Sequence, residues 1–310
     1  MDYEIFERML KVYNFFEPND AELLPLISSF LKRNDDEIVN FSHVDTGWTN
    51  IVINVKSNKN EYIFRFPRNT FFAKEMLRDY TFCKLVQHKV WCTTPDMQLI
   101  IDNNRPFSVH PKISGTVLSS YDFKSFSNNE ISKLADGIGH FLSELHKIPI
   151  AAIPDGYNTY LTSYLDELSE VHCGDYELKT HEGLRRLENA KYDLCLVHGD
   201  FNPGNILVDK NLNISAVIDF SFGSISDRNA DIGRLLSRTD LKFCRYVLDA
   251  YNSYSNRPCN ESRAIAIANV FKYVDWKYVQ YICRNMPSIT VSKALLNDNF
   301  DMSIFKDNIA

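Results

Sequence analysis

The chain has no Cys-x-x-Cys spacing; its seven cysteines are an odd number scattered along the sequence. That pattern argues against a disulfide framework and for reduced thiols in a cytosolic setting. No apolar run approaches the ~20 residues of a membrane-spanning helix. Met1-Asp2-Tyr3-Glu4 opens no basic stretch followed by an apolar core, so no secretory signal is expected and a cytoplasmic location is. Positive charge is not in excess, with 34 Lys and Arg against 40 Asp and Glu and a net charge of −6. This argues against a general binder of nucleic acid or anionic membrane, and is compatible with a cationic partner. Neither G-x-G-x-x-G nor G-x-x-x-x-G-K-[ST] occurs, and there is no internal repeat or low-complexity tract. What remains, at 45% hydrophobic and 24% charged residues, is an ordinary globular chain. Its 310 residues are enough for one large domain or two lobes.

Residues 1–34 have an amphipathic helical pattern, with Pro18 and Pro25 expected as breaks or as a helix start. Strand-like runs follow at Ile38–Phe41, Ile51–Val55 and Glu61–Phe66, the last stopped by Pro67. Polar turns separate them, so they read as an antiparallel meander. Phe72, Met76, Tyr80 and Cys83 then share a helical stripe. Leu99–Ile101 and Phe107–Ile113, flanking an Asp102-Asn103-Asn104 turn, suggest a closing hairpin. Ser114-Gly115 looks like a break between a sheet-rich part, 1–113, and a helix-rich part, 114–310. Beyond it Ser127-x-x-Glu130 is a capping-box signature leading into Ile131, Leu134, Ala135, Ile138, Leu142 and Leu145 at helical spacing.

The densest chemistry lies in Val197-His198-Gly199-Asp200-Phe201-Asn202-Pro203-Gly204-Asn205-Ile206-Leu207-Val208. It is followed by a turn, Asp209-Lys210-Asn211-Leu212-Asn213, and the apolar run Ile214–Ile218 ending at Asp219. If the two apolar runs pair antiparallel, Asn205 and Asp219 emerge at the same end of the hairpin, within a residue or two of register. Asp200, just upstream, can face the same point. An amide oxygen and carboxylates suit a hard cation such as Mg²⁺. Zinc would want His and Cys, and His172, Cys173 and His181 lack a convincing spacing. A base for a hydroxyl and oxygen ligands for magnesium are what phosphoryl transfer needs.

In these residues the chain resembles the aminoglycoside phosphotransferase and choline kinase-like families. His198-Gly199-Asp200-x-x-x-x-Asn205 looks like their catalytic loop and Ile218-Asp219-Phe220 like their metal-binding segment. The resemblance implies an α+β, bilobal, protein-kinase-like fold. Its N-terminal lobe, 1–113, would hold an antiparallel sheet with one main helix and a helical extension, and bind nucleotide. Its C-terminal lobe, 114–310, would be mostly helical and carry the catalytic and acceptor-binding groups. Asp200 would orient or deprotonate the acceptor hydroxyl, while Asn205 and Asp219 would hold Mg²⁺. His198, Asp227 and Asp231, the last two in Ser226-Asp227-Arg228-x-x-Asp231, would support the catalytic loop.

Phe64-Arg65-Phe66-Pro67-Arg68 resembles the third strand of aminoglycoside 2″-phosphotransferases and macrolide phosphotransferases, which puts the nucleotide-clamping cation at Arg65. Many relatives carry Lys there, but a guanidinium can grip phosphate through two bonds. Asp79 falls where the family's Glu partner is expected; Glu75, one turn earlier on the same face, is the other candidate. The loop 45–50 would cover the phosphates with backbone N–H groups and Thr46 or Thr49. The segment Ser108–Gly115, with Val109, His110 and Ile113, would form the hinge whose backbone bonds the nucleobase.

For the acceptor the sequence says less. An aminoglycoside pocket should be acidic, yet the segment after Asp231 carries Arg234 and Arg238 with only Asp240 nearby. Asp275-Trp276-Lys277-Tyr278-x-x-Tyr281 resembles an acceptor-side helix; the same aromatics could cage a quaternary ammonium or simply pack, since Val270, Phe271, Val274, Tyr278 and Tyr281 recur at core spacing. The expected activity is Mg²⁺-dependent transfer from ATP or GTP to a hydroxyl of an aminoglycoside-like antibiotic or amino sugar. Alternatives are a choline or ethanolamine kinase, a nucleotide-binding pseudokinase without turnover and, more distantly, a metal-dependent hydrolase. No nucleic acid, membrane or obligate protein partner is expected.

Overall fold

A computed structural model gives the fold and describes residues 19–44, 49–68, 70–103, 105–163, 165–166, 182–189, 191 and 193–285. Pro18, Thr46, His172, Cys173 and His181 lie outside the described residues. The chain forms two compact units, Met1–Lys84 with Pro95–Ile113, and Leu85–Thr94 with Ser114–Ala310. Helices and antiparallel sheets together make it an α+β protein.

The first unit is built on a five-stranded antiparallel sheet of order β1-β2-β3-β5-β4. Its strands are β1 (Ile38–Val44), β2 (Asn50–Ser57), β3 (Glu61–Pro67), β4 (Gln98–Asp102) and β5 (Arg105–Pro111). Strand alternation sorts the side chains. Ile51, Ile53, Val55, Phe64, Phe66, Phe107 and Val109 turn to one face and pack against helix α1 (Asp20–Lys32) through Leu23, Leu26, Ile27, Phe30 and Leu31. The ring of Phe30 meets that of Phe64 edge-on at 5.5 Å. Pro25 neither breaks nor starts this helix but lies inside it. Its missing N–H deprives the Ala21 carbonyl of a partner, a loss of about 3 kcal/mol. Five buried apolar side chains, at roughly 1.5–3 kcal/mol each, outweigh it. The opposite face carries Arg65, which reaches Asp79 of helix α2 (Thr70–Val86).

In the second unit the capping box forms as expected: Ser127 Oγ accepts from the Glu130 N–H, and the Glu130 carboxylate accepts from the Ser127 N–H at 2.8 Å. It starts α3 (Asn128–Leu145), whose buried stripe packs along α6 (Leu241–Tyr254). Further helices among the described residues include α4 (Glu182–Asn189), α5 (Ala230–Ser237) and α7 (Glu261–Asn285), and α5 packs on α7. Two small antiparallel sheets carry the loops of interest. One joins β7 (Leu194–Val197) to β10 (Ser224–Asp227); the other has the order β6-β8-β9, from Thr116–Val117, Ile206–Val208 and Ile214–Val217. No helix among the described residues is long and apolar enough to cross a membrane.

Candidate active site

The hairpin β8–β9 fixes the central geometry. Ile206 pairs with Val217, and beyond the ladder the Ile218 N–H donates to the Asn205 carbonyl at 3.0 Å. Asn205 and Asp219 therefore leave the hairpin at one end, one residue out of register. At the other end Asp209 accepts from the Asn211 and Asn213 N–H groups, and Leu212 takes a left-handed φ of 60°. These bonds hold the Asp209 carboxyl below the usual carboxylate range, the Asn213 side chain contributing most. A register shift between Leu207 and Val208, which the sequence pattern does not signal, absorbs the extra residue of the second strand.

Asp200 lies on the loop before β8. The Asn205 side-chain N–H group donates to the Asp200 carbonyl at 2.9 Å and to its Oδ2 at 3.1 Å. With the nitrogen so committed, Asn205 Oδ1 is the atom left to coordinate a cation. Between the two residues Asn202 Oδ1 accepts from the Gly204 N–H at 2.8 Å and caps the single turn Pro203–Asn205. Asp219 sits in the left-handed region at φ 66°, uncommon for a non-glycine residue and a form of strain that gathers at functional sites. An amide oxygen and the Asp219 carboxylate are hard donors, and they fit a magnesium whose other positions go to phosphates and water. Among the described residues no three His, Cys, Asp or Glu side chains cluster as a metal site; zinc is not what this set suits.

Asp231 braces the loop from α5. One carboxylate oxygen accepts from the Gly199 N–H and the other from the His198 N–H, both at 2.9 Å. The second oxygen also meets His146 Nε2 at 3.2 Å, and His146 Nδ1 lies 3.0 Å from the Tyr251 hydroxyl. Arg228 donates to that hydroxyl and to Asp193, so the chain of contacts runs from the loop to the α6 core. The His198 ring is held on both nitrogens: Nε2 meets the Ile218 carbonyl at 3.0 Å, and Nδ1 accepts from the Asp200 N–H at 3.3 Å. One imidazole thus links the loop to the segment carrying Asp219. Gly199 must be glycine, because at φ 81° a Cβ would stand 2.2 Å from the Phe222 carbonyl oxygen. Asp227 acts elsewhere: its Oδ1 accepts from the Asn229 N–H and side-chain amide, bracing the start of α5 rather than the loop that carries Asp200.

Arg234, which the sequence offered only as a charge of the wrong sign for the acceptor, proves central. Its Nε donates to Asp200 Oδ1 at 2.7 Å and its Nη1 to Asp275 Oδ2 at 2.6 Å. Burial works against its charge, but Asp275 and Asp200 outweigh it and keep the guanidinium protonated. Arg238 also reaches Asp275, at 2.7 Å. Asp275, expected to face the acceptor, is thus taken up by two arginines. Asp240, expected nearby, caps α6 by accepting from the Phe243 N–H. Trp276 and Tyr278 belong to α7, and their side chains lie outside the described residues. The Asp231-x-x-Arg234 spacing, which puts both residues on one helix face, was the signal that could have revealed Arg234.

In the first unit Arg65 pairs with Asp79, a fully buried carboxylate that also accepts from the Cys83 thiol at 3.3 Å. Glu75, one turn earlier, is buried as well. His110 lies on the Arg65 face of β5. Burial first, then the Arg65 charge, push its imidazole down to about 4 against the opposing pull of the Pro111 carbonyl, so it is neutral at pH 7. Val109 sits between Phe64 of β3 and Gln98 of β4 with its side chain in the α1 core, so its backbone belongs to the sheet. Ile113 follows the strand end.

The profile of the phosphotransferase enzyme family matches residues 41–261, and the chain belongs to that family. Solved structures share its fold. Aminoglycoside 2′-phosphotransferase-IIIa with GDP is 21% identical, with a TM-score of 0.66 over 88% of this chain and 96% of its own. The streptomycin–ATP ternary complex of APH(2″)-IIa is 19% identical, with a TM-score of 0.59 over 88% and 95%. Macrolide 2′-phosphotransferase MphH from Brachybacterium faecium is 15% identical, with a TM-score of 0.61 over 88% and 98%.

Proposed function

We propose that this phosphotransferase is a Mg²⁺-dependent small-molecule O-kinase that moves the γ-phosphoryl group of ATP or GTP to a hydroxyl of an aminoglycoside-like antibiotic or amino sugar. The observation that carries the reading is the meeting of Asp200, Asn205 and Asp219 at one end of the β8–β9 hairpin. Relatives of the same fold bind GDP with kanamycin, or ATP with streptomycin, which supports the donor and acceptor classes.

Asn205 Oδ1 and the Asp219 carboxylate would hold magnesium, which supplies charge neutralisation for the phosphates. Asp200 would take the acceptor's proton: the O–H bond breaks as the new O–P bond forms, and the bond from the γ-phosphorus to the β–γ bridging oxygen breaks in line. Each Asp200 oxygen carries one hydrogen bond, to Arg234 or to Asn205, so its rotamer is set and lone pairs remain for the acceptor. From the first unit, the nucleotide-binding one in this reading, Arg65 would grip the phosphates, oriented by Asp79. The second unit supplies the catalytic and acceptor-binding groups.

The test is a coupled phosphotransfer screen with ATP and GTP separately, against kanamycin, streptomycin, a macrolide, choline and ethanolamine. Transfer to an aminoglycoside is the expected result. Transfer only to choline or ethanolamine would replace the acceptor class. Magnesium-dependent nucleotide binding without transfer to any of them would make the chain a pseudokinase.

A further inference from the structure

Arg234 is held on four sides. Asp200 and Asp275 take its Nε and Nη1, Ser237 Oγ lies 3.3 Å from Nη1, and the Phe271 ring centre is 5.1 Å from its Cζ. Only 7% of the residue is exposed. A buried guanidinium is costly to desolvate and is retained where opposite charges are fixed around it. The charges alternate: Asp200, Arg234, Asp275, Arg238. Asp275 can reach Arg234 because α5 and α7 approach closely at Gly233, where a Cβ would stand 2.8 Å from Ile267 side-chain atoms.

The same helix therefore holds the loop twice. Asp231 fixes the main chain at His198 and Gly199, and Arg234, three residues on, fixes the carboxylate of Asp200. Asn205 occupies the other Asp200 oxygen. A carboxylate gripped on both oxygens from two different elements has one orientation available.

We propose that Arg234 is the positioning residue of the phosphotransfer reaction, setting the rotamer of Asp200, and that Asp275 on α7 acts through it as the anchor of the guanidinium. This rests on the reading of Asp200 as the group that receives the acceptor proton. It also gives α7 a task distinct from binding the acceptor: its carboxylate tunes the geometry of the base through Arg234.

A purely structural ion pair would behave differently under substitution, and three variants separate the two. Arg234→Lys keeps the charge but loses the fork, and Asp275→Asn keeps a hydrogen-bond acceptor but loses the charge. The double variant Arg234→Met/Asp275→Leu replaces the buried pair by apolar groups of similar size, a change that often preserves stability. Turnover is measured with the best acceptor of the screen, beside the nucleotide KM, the melting temperature and a crystal structure of each variant. Misplacement of a reacting group by about 1 Å can cost roughly 100-fold in rate. The expected result is a double variant that melts near the wild-type temperature and keeps its nucleotide KM, while kcat falls about 100-fold and the Asp200 carboxylate leaves Asn205. Arg234→Lys should fall between the two, at about ten-fold. Recovery of kcat together with melting temperature in the double variant would overturn the proposal. If the wild type transfers phosphate to nothing, the functional reading fails by itself. The crystal structures still decide this one: an Asp200 carboxylate unmoved without Arg234 contradicts it.

Discussion

Asp231→Ala is the substitution whose cost follows most directly from the geometry. Asp231 is fully buried, and its two oxygens accept from the His198 and Gly199 N–H groups at 2.9 Å each. Hydrogen bonds to a charged acceptor contribute about 1.5–3 kcal/mol each. Removing the acceptor also leaves two buried donors and the His146 ring without it. Against this, a carboxylate no longer has to be desolvated, which returns part of the loss. Breaking a buried charged set by deleting one member costs about 3–5 kcal/mol as a net figure. At about 2–4 °C per kcal/mol for a chain of somewhat smaller size, the variant should melt roughly 10 °C below the wild type. Asp231→Asn keeps one good acceptor and turns an N–H group toward a donor, so it should lie between the two. Thermal unfolding of the three proteins, followed by circular dichroism and calorimetry, checks this. A shift under about 2 °C for the alanine variant would refute the claim that Asp231 carries the loop.

Gly199→Ala should disrupt the same loop from the other side, since its Cβ has no room beside the Phe222 carbonyl and φ is 81°. Low soluble yield or a melting point well below the wild type is expected, and a well-behaved variant would contradict the close approach. Glu188 offers a pH test. It is buried, accepts from the Thr162 and Ser226 hydroxyls, and burial outweighs those bonds to raise its carboxyl above 4.5. The folded chain therefore holds this proton to higher pH than the unfolded one, so its contribution is intact below the unfolded pKa and is lost as pH rises through the folded one. Glu188→Gln should gain stability relative to wild type as pH rises from 4 to neutrality, by denaturant titration at each pH. Parallel stability curves would show that Glu188 does not titrate in this way.

Much of this architecture could be read in advance because it is local. The Ser127–Glu130 capping box, the turn at Asp209–Asn213 and the alternation that separates Arg65 from Phe64 and Phe66 each depend on a few neighbouring residues. The convergence of Asn205 and Asp219 was legible for the same reason: a hairpin is the shortest route between two distant positions. Pro25 misled because the helix-breaking tendency of a residue is weighed against burial that only the tertiary structure supplies. The roles of Arg234 and Asp275 were missed because their pairing spans 41 positions and no local pattern announces it; Arg234 was read only as a charge of the wrong sign for the acceptor, and Asp275 as an acceptor-side carboxylate. The His146–Tyr251 link between Asp231 and α6 is hidden for the same reason.

The central claim is a division of labour at the hairpin end, with Asp200 receiving a proton and Asp219 holding magnesium. It is tested most directly by measuring phosphotransfer and Mg²⁺-nucleotide affinity side by side in the wild type, Asp200→Ala and Asp219→Ala, by coupled assay and calorimetric titration. Asp200→Ala should abolish transfer while binding Mg²⁺-nucleotide as the wild type does, and Asp219→Ala should lose that affinity. Turnover retained without Asp200, or nucleotide affinity unchanged without Asp219, would contradict the account.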